Sequence, residues 1–427
     1  DWKYHFLSSP VENQPIQTEF VNLPNTTDDF MSWEEAASTW INTKDGNGDW
    51  NIDFESDFIQ GKGYLVAYSS EVTRNFKGKP YTSNDGLGIS CTYNPGPGTD
   101  MNPGWNLIGN PFPSAINWNY ITDDANQLLG SGVDKALYYY DNNLADYLYY
   151  SNLSGELGSA SPYIPAMQGF MIHSHSNSDN ILKINNAART HLGQDTYHKK
   201  SAAITSNILN LKVEGNSYVD YARVCFYDLA TMNFDGDFDA YKLFSYNAGV
   251  PQMYSVTPDN TKVAINTLPL SQMYGDVAME FLPGADGTFT FTANGITSFA
   301  SNVYIKLEDK KTGTIQKLND NPVYTYTAAT TDNAGRFVLH FQDATGINDP
   351  VAGSDFSIYS DGSMINVLAL KPVNGKVQVF DMAGREVASA SLIPNQSTRI
   401  DMQGHSGIYV VSVITSKGIS NSKLVIK

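Results

Sequence analysis

Cysteine is almost missing from this chain: of 427 residues only Cys91 and Cys225 carry a thiol, and they fall in segments that read as different domains. A disulfide framework is excluded, so stability must come from packed sheets. Charge is sparse as well, at 17% of residues, and 44 acidic against 27 basic side chains leave a formal net charge of −17. The acids are scattered, and their summed field repels polyanions, which excludes nucleic acid and an anionic membrane surface as partners. No window approaches the ~18 consecutive apolar residues of a membrane-spanning helix. The opening Asp1-Trp2-Lys3-Tyr4-His5-Phe6 is no signal peptide, so a trimmed start or the end of a larger precursor is expected. Helical periodicity is nearly absent; the stretch from Asp123 to Leu129 reads as a turn of helix on a loop. Also missing are a Gly-x-Ser-x-Gly elbow, His-Glu-x-x-His, a phosphate-binding glycine loop and a Cys/His nucleophile pattern. No catalytic residue is assigned, although paired carboxylates for glycoside hydrolysis stay open because such pairs meet only in the fold.

What is present is aromatic and β-prone. Aromatics make up 12% of the chain and hydrophobic residues 41%, enough to bury sizeable cores and unlike a disordered composition. Short runs of Tyr, Val, Ile, Phe and Thr with alternating polarity are cut by Asn, Asp, Gly and Pro, which predicts an all-β protein of tandem β-sandwich domains. At roughly 150 residues per domain, three are expected. The first, at 1–193, looks like an internal duplication. Trp2-Lys3-Tyr4-His5-Phe6-Leu7-Ser8-Ser9-Pro10 is echoed by Gly104-Trp105-Asn106-Leu107-Ile108-Gly109-Asn110-Pro111-Phe112, and the segment from Phe58 to Val66 is echoed by that from Ile164 to Ile172. Two copies joined through Asn94-Pro95-Gly96-Pro97-Gly98 would pack to bury faces neither could bury alone. A polar linker from Gly193 to Ser201 precedes a second sandwich at 200–345, with strands expected at Ile208–Val213, Ala222–Tyr227, Val277–Phe281, Thr288–Thr292, Val303–Leu307 and Phe337–Phe341. Asp343–Gly353 reads as another linker before a third domain at 354–427.

Four groups of side chains carry candidate chemistry. Asp45, Asn47, Asp49, Asn51 and Asp53 alternate as oxygen ligands do around a hard cation, although Trp50 and Ser56 stand where a calcium loop of the EF-hand type needs Gly and Glu. Asp235, Asp237 and Asp239 form a second alternating run, so Ca2+ is the cofactor these loops point to, with a solvated turn as the alternative in both places. His173 and His175, two apart on a strand, face one side as zinc or copper ligands would, with no third ligand evident. Tyr138, Tyr140, Tyr147 and Tyr149, on a hairpin around Asp141–Asp146, offer rings for stacking on sugars; buried tyrosines with satisfied hydroxyls are the alternative.

The last segment has its own pattern. Phe356-Ser357-Ile358-Tyr359, the run from Lys376 to Val387 containing Asp381-Met382-Ala383-Gly384-Arg385, then Gly407-Ile408-Tyr409-Val410-Val411-Ser412-Val413 and Lys423-Leu424-Val425-Ile426-Lys427 alternate as half-buried strands, with a hairpin turn ending at Gly384. These blocks resemble the type A C-terminal sorting domain of Bacteroidetes type IX secretion (Por secretion system) cargo. The duplicated Gly-Trp-Asn-Leu-Ile-Gly-Asn-Pro-Phe pattern and the stretch from Leu307-Glu308-Asp309-Lys310 to Gly335-Arg336-Phe337 look like regions that precede such domains in surface proteins. The resemblance implies a small Ig-like sandwich read by the translocon, then removed by a sortase as cargo is released or attached to the surface, so the sequence here is an uncleaved form. It also implies an extracellular or outer-surface location, with Asp381, Gly384, Arg385, Gly407, Tyr409 and Lys427 in the sorting signal. The function expected is a non-enzymatic secreted or surface protein that adheres, builds structure, or binds a glycan or another surface protein. The alternative is the C-terminal accessory region of a larger secreted polysaccharide- or protein-degrading hydrolase.

Overall fold

The computed structural model describes residues 4–21, 27–83, 85–95, 103–152, 155–158, 160–192, 206–343, 356–361, 363–369, 373–393, 397–415 and 418–426. Their regular structure is nearly all strand, as the alternating pattern predicts, and the helix turn expected after Asp123 is a 3-10 turn at Asp124–Asn126 capped by the Asp123 carboxylate. By internal contacts the chain forms two compact units, residues 1–301 with 305–341, and residues 342–427 with 302–304. The expected linkers at Gly193–Ser201 and 344–353, and Gly96–Gly98 between the copies, lie outside the described residues.

The echo within residues 4–192 is a true structural repeat. In the first copy, strands His5–Leu7, Tyr64–Ala67, Asp29–Glu34 and Thr39–Asn42 lie side by side in that order; in the second, Trp105–Gly109, Gly169–His173, Ala136–Asp141 and Asp146–Ser151 take the same order. Register matches residue for residue. Phe6 pairs with Leu65 as Leu107 pairs with Met171; Met31 pairs with Leu65 as Tyr138 pairs with Met171; Trp33 pairs with Trp40 as Tyr140 pairs with Tyr147. Even the backbone of the turns is conserved, with Gly61 and Met167 both left-handed (φ 80° and 63°) and Ser38 and Ala145 likewise (φ 46° and 53°).

The copies meet about a pseudo-two-fold axis. Gly109 N donates to Gly61 O at 2.8 Å, and the equivalent Ser8 N donates to Met167 O at 2.9 Å. Lys62 bridges Ile108 as Gln168 bridges Leu7. A Cβ on Gly63 would lie 2.7 Å from Ile108 O, and one on Gly169 would lie 2.9 Å from Phe6 Cβ. Only glycine allows backbones this close, which explains why the Gly-aromatic-aliphatic signature recurs in both copies.

After residue 206 one large sheet runs through Ile208–Gly215, Tyr218–Tyr227, Lys262–Pro269, Gln252–Val256, Asp276–Leu282 and Phe337–Asp343 in one direction, and through Gly287–Asn294 and Val323–Ala328 in the other. Phe281 and Phe289 lie on strands separated by four others, yet their rings are 5.2 Å apart. The sheet therefore folds over on itself as a sandwich whose interior is Phe281, Phe289, Phe291 and Phe337. All the strands expected here are present. The Leu307–Lys310 and Gly335–Phe337 stretches meet in it: Arg336 grips Asp309 with Nε to Oδ1 at 2.8 Å and Nη2 to Oδ2 at 2.6 Å. One apolar cluster joins this sheet to the repeat, with Phe6, Leu65, Trp105 and Tyr138 packed against Ala240, Ala264 and Ile265.

The C-terminal unit is a two-sheet sandwich. Phe356–Asp361, Met364–Ala369 and Ser397–Asp401 form one sheet; Glu386–Ser391, Gly375–Asp381, Gly407–Thr415 and Gly418–Ile426 form the other. Alternate residues Val377, Val379, Tyr409, Val411 and Val413 fill its core with Ile365 and Val367.

Candidate functional site

A cleft of about 1060 Å3 lies where the second copy of the repeat meets the loop Thr231–Asp239. Its floor is the lead-in to strand Ala136–Asp141 and the end of strand Gly169–His173, locked by Asp134 N to His173 O (2.9 Å) and His175 N to Gly132 O (2.9 Å). At this junction the Asp134 carboxylate, 1% exposed, is shared by two imidazoles: His173 Nδ1 lies 2.6 Å from Oδ2 and His175 Nδ1 lies 2.7 Å from Oδ1. Burial opposes the charge of Asp134, but the hydrogen bonds from His173 and His175 outweigh it and hold its pKa below the usual carboxylate range. The strand spacing does place His173 and His175 on one side, but they converge on a carboxylate.

The two histidines differ in what remains free. His173 is buried, and its Nε2 faces the Pro103 carbonyl at 2.9 Å. His175 is 50% exposed on its side chain and lines the cleft, and the Asp134 hydrogen bond raises its pKa despite partial desolvation. Beside it Lys135 Nζ lies 3.0 Å from Asp124 Oδ1 and 3.2 Å from Asp237 Oδ1. Burial would lower the Lys135 pKa; the contacts to Asp124 and Asp237 prevail and raise it. The loop is clamped down by Lys135 N donating to Gly236 O at 2.9 Å, and any Cβ on Gly236 would collide with the Asp134 carboxylate. The Phe234 ring stacks on Tyr241 at 4.0 Å, and Tyr241 lies 4.5 Å from the His173 ring.

The alternating acidic runs are turns. Asp45 Oδ1 accepts from Asn47 N at 2.8 Å and Asp49 N at 3.0 Å, which lowers its pKa, and Asn51 Oδ1 likewise accepts from Asp53 N at 3.1 Å. In the second run the carboxylates diverge: Asp239 is buried and accepts from Asp235 N (2.9 Å) and Thr267 N (2.6 Å), Asp235 accepts from Asp237 N (3.1 Å), and Asp237 reaches Lys135. Burial pushes both Asp239 and Asp235 upward. Among the described residues no group of three or more His, Cys, Asp or Glu is arranged to hold a metal ion.

The tyrosine hairpin faces inward. Tyr138, Tyr147 and Tyr149 are buried, and their hydroxyls are used by Tyr241 N (3.0 Å), Tyr246 Oη (2.8 Å) and Leu243 O (2.8 Å). Tyr140 is half-buried against Tyr147 and Tyr246. Their partners come from chain about a hundred residues away, so Tyr138, Tyr147 and Tyr149 seal an interface within the unit.

In the C-terminal unit Asp381, Gly384 and Arg385 form one turn. Asp381 Oδ1 accepts from Ala383 N (2.9 Å) and Arg385 N (3.0 Å), Arg385 Nε reaches Asp381 Oδ2 at 2.8 Å, and Gly384 sits at φ 79°. Gly407 sits at φ 138°, Tyr409 is buried in the core, and Lys427 lies outside the described residues. Sequence reasoning passed over Asp134 and Lys135; the signal was the asymmetry between copies, since they stand where the first copy has Thr27 and Asp28.

Residues 1–341 match the family described as Domain of unknown function (DUF8693). Residues 360–427 match the Secretion system C-terminal sorting domain. No curated protein matches the chain. Among solved structures, similarity is found to a Biofilm associated protein BSP domain (11% identity, 100% of this chain and 90% of that one, TM-score 0.18). It is also found to a "Ca2+-stabilized adhesin" by which an Antarctic bacterium reaches out and binds ice (11% identity, 94% and 90%, TM-score 0.14). At these TM-scores no shared fold is inferred.

Proposed function

Since the chain belongs to the DUF8693 family of unknown function and ends in a sorting domain that makes it type IX secretion cargo, exported to the outer surface or extracellular space, we propose that it is a non-enzymatic surface or secreted protein whose cleft in residues 1–341 captures an extracellular glycan. The cleft itself supports the reading. Fixed donors and acceptors, Lys135 and His175 against Asp124 and Asp237, stand beside the Phe234–Tyr241 ring pair. Sugar hydroxyls both donate and accept and sugar faces are apolar, so this mixture suits them.

The test is binding of the full chain to a panel of immobilised polysaccharides, with Ca2+ and with a chelator, and with reducing-end release followed in parallel. Retention of one or more polysaccharides without turnover is expected. Failure to retain any of them refutes the reading, and turnover at an ordinary enzymatic rate replaces it with catalysis. Loss of binding on chelation would assign Ca2+ to the Asp45 or Asp235 loop. The division into 1–193, 200–345 and 354–427 belongs to the same proposal, as does contact of the translocon and sortase with the Asp381–Arg385 turn.

A further inference from the structure

The repeat supplies its own control. Superposing the strand registers sets Asp134 on Thr27, Lys135 on Asp28 and His175 on Ser69. In the first copy Thr27 Oγ1 donates to Ser69 Oγ at 3.3 Å, and Asp28 Oδ1 accepts from Ser69 N and Oγ, both at 2.8 Å. At the surface, two hydroxyls and the Asp28 carboxylate therefore join the same two chain segments in the same fold. The second copy instead buries a carboxylate, which is costly in itself, to hold an imidazole whose far side stays open. The fold does not demand that arrangement.

The imidazole is aimed by its own bond. With Nδ1 held to Asp134, the remaining nitrogen, Nε2, has no hydrogen-bond partner among the described residues, and His175 lines the cleft. Around it the lining carries six carboxylates against Lys135 and Lys183. A polyanionic ligand would enter against that field, whereas a neutral or cationic one would not.

We propose that His175, positioned by Asp134, is the side chain through which the cleft contacts a neutral or amino-bearing saccharide, and that the cleft rejects uronate-type glycans. This rests on the glycan-binding reading above. His175 Nε2 meets a ring hydroxyl, and the carboxylates receive the sugar's hydroxyl or ammonium protons.

Titration calorimetry on the full chain tests it, using hexamers of glucosamine, N-acetylglucosamine, glucose and galacturonate. The variants are His175→Ser, which installs the first copy's residue at a half-exposed position and leaves Asp134 paired with His173, and His175→Gln, whose amide reaches the place of Nε2. The wild-type chain should bind a neutral or amino hexamer and not galacturonate. H175S should weaken binding about tenfold or more, the scale of one well-placed hydrogen bond, with an unchanged thermal transition, and H175Q should recover part of it. If the wild type binds none of the hexamers, the glycan reading falls and this proposal with it. If it binds one and H175S binds equally, the proposal alone is overturned. A preference for galacturonate overturns the charge argument.

Discussion

Breaking the Asp309–Arg336 pair should destabilise the first unit by ~3–5 kcal/mol, the usual result of stranding one member of a buried ion pair. Both side chains are almost wholly out of solvent, at 0% and 2% exposure. Asp309 also accepts from Tyr324 Oη (2.9 Å) and Lys311 N (3.0 Å); Arg336 gives Nη1 to Thr327 O at 2.8 Å and lies 4.8 Å from the Tyr326 ring centroid. Asp309→Asn keeps the shape and removes the charge, leaving the guanidinium among aromatic rings with only the longer 3.4 Å contact to the Asp332 carboxylate. Arg336→Met with Asp309→Leu removes both charges and should recover much of the loss. Urea unfolding read by tryptophan fluorescence isolates the effect, because all six tryptophans lie between residues 2 and 118 and none in the sorting unit. Burial alone would raise the Asp309 pKa, but the Arg336 contacts outweigh it and hold it low. A depressed carboxylate stabilises the fold above its unfolded pKa of about 3.9 and loses that contribution as pH falls through the folded value. The gap between wild type and D309N should therefore be full at neutral pH and close below about pH 4. A loss under about 1 kcal/mol at pH 7, or a gap that persists in acid, would refute the assignment.

Three further outcomes are expected. Asp146 is pushed up to about 7, first by burial, with Lys242 opposing and Asp220 adding to the shift; a raised carboxylate pKa means stability falls as pH rises from about 4 towards 7, and Asp146→Asn should flatten that slope in thermal melts. Gly63→Ala places a methyl against Ile108 O across the pseudo-two-fold axis and should cost about 1–3 kcal/mol in urea unfolding; an unchanged midpoint would mean the copies are not in that close contact. Asp381→Ala removes the acceptor that closes the Asp381–Arg385 turn, so export measured by fractionation should drop while the intracellular chain still folds, and undiminished export would take the turn out of the sorting signal.

Much of the architecture was legible because its signals are local or repeat themselves. Alternating polarity and turn residues marked the strands. The Gly-aromatic-aliphatic echo marked a duplication whose registers agree residue for residue, since Gly63 and Gly169 must be glycine where each meets the other copy. The C-terminal blocks and their Asp-Gly turn marked the sorting unit, because an Asp carboxylate capping its own turn needs no distant partner. The same local chemistry caps turns at the acidic runs: Asp45 bonds its own loop's backbone, and Asp239 turns inward to Thr267. Only the tertiary structure decided which aromatic faces are covered, because the hydroxyls of Tyr147 and Tyr149 are met by Tyr246 and Leu243 from a loop about a hundred residues later. Only it, too, placed Asp134 between His173 and His175. A residue's burial and charge state depend on what folds over it, and here that cover comes from chain far away in sequence, where no spacing rule reaches.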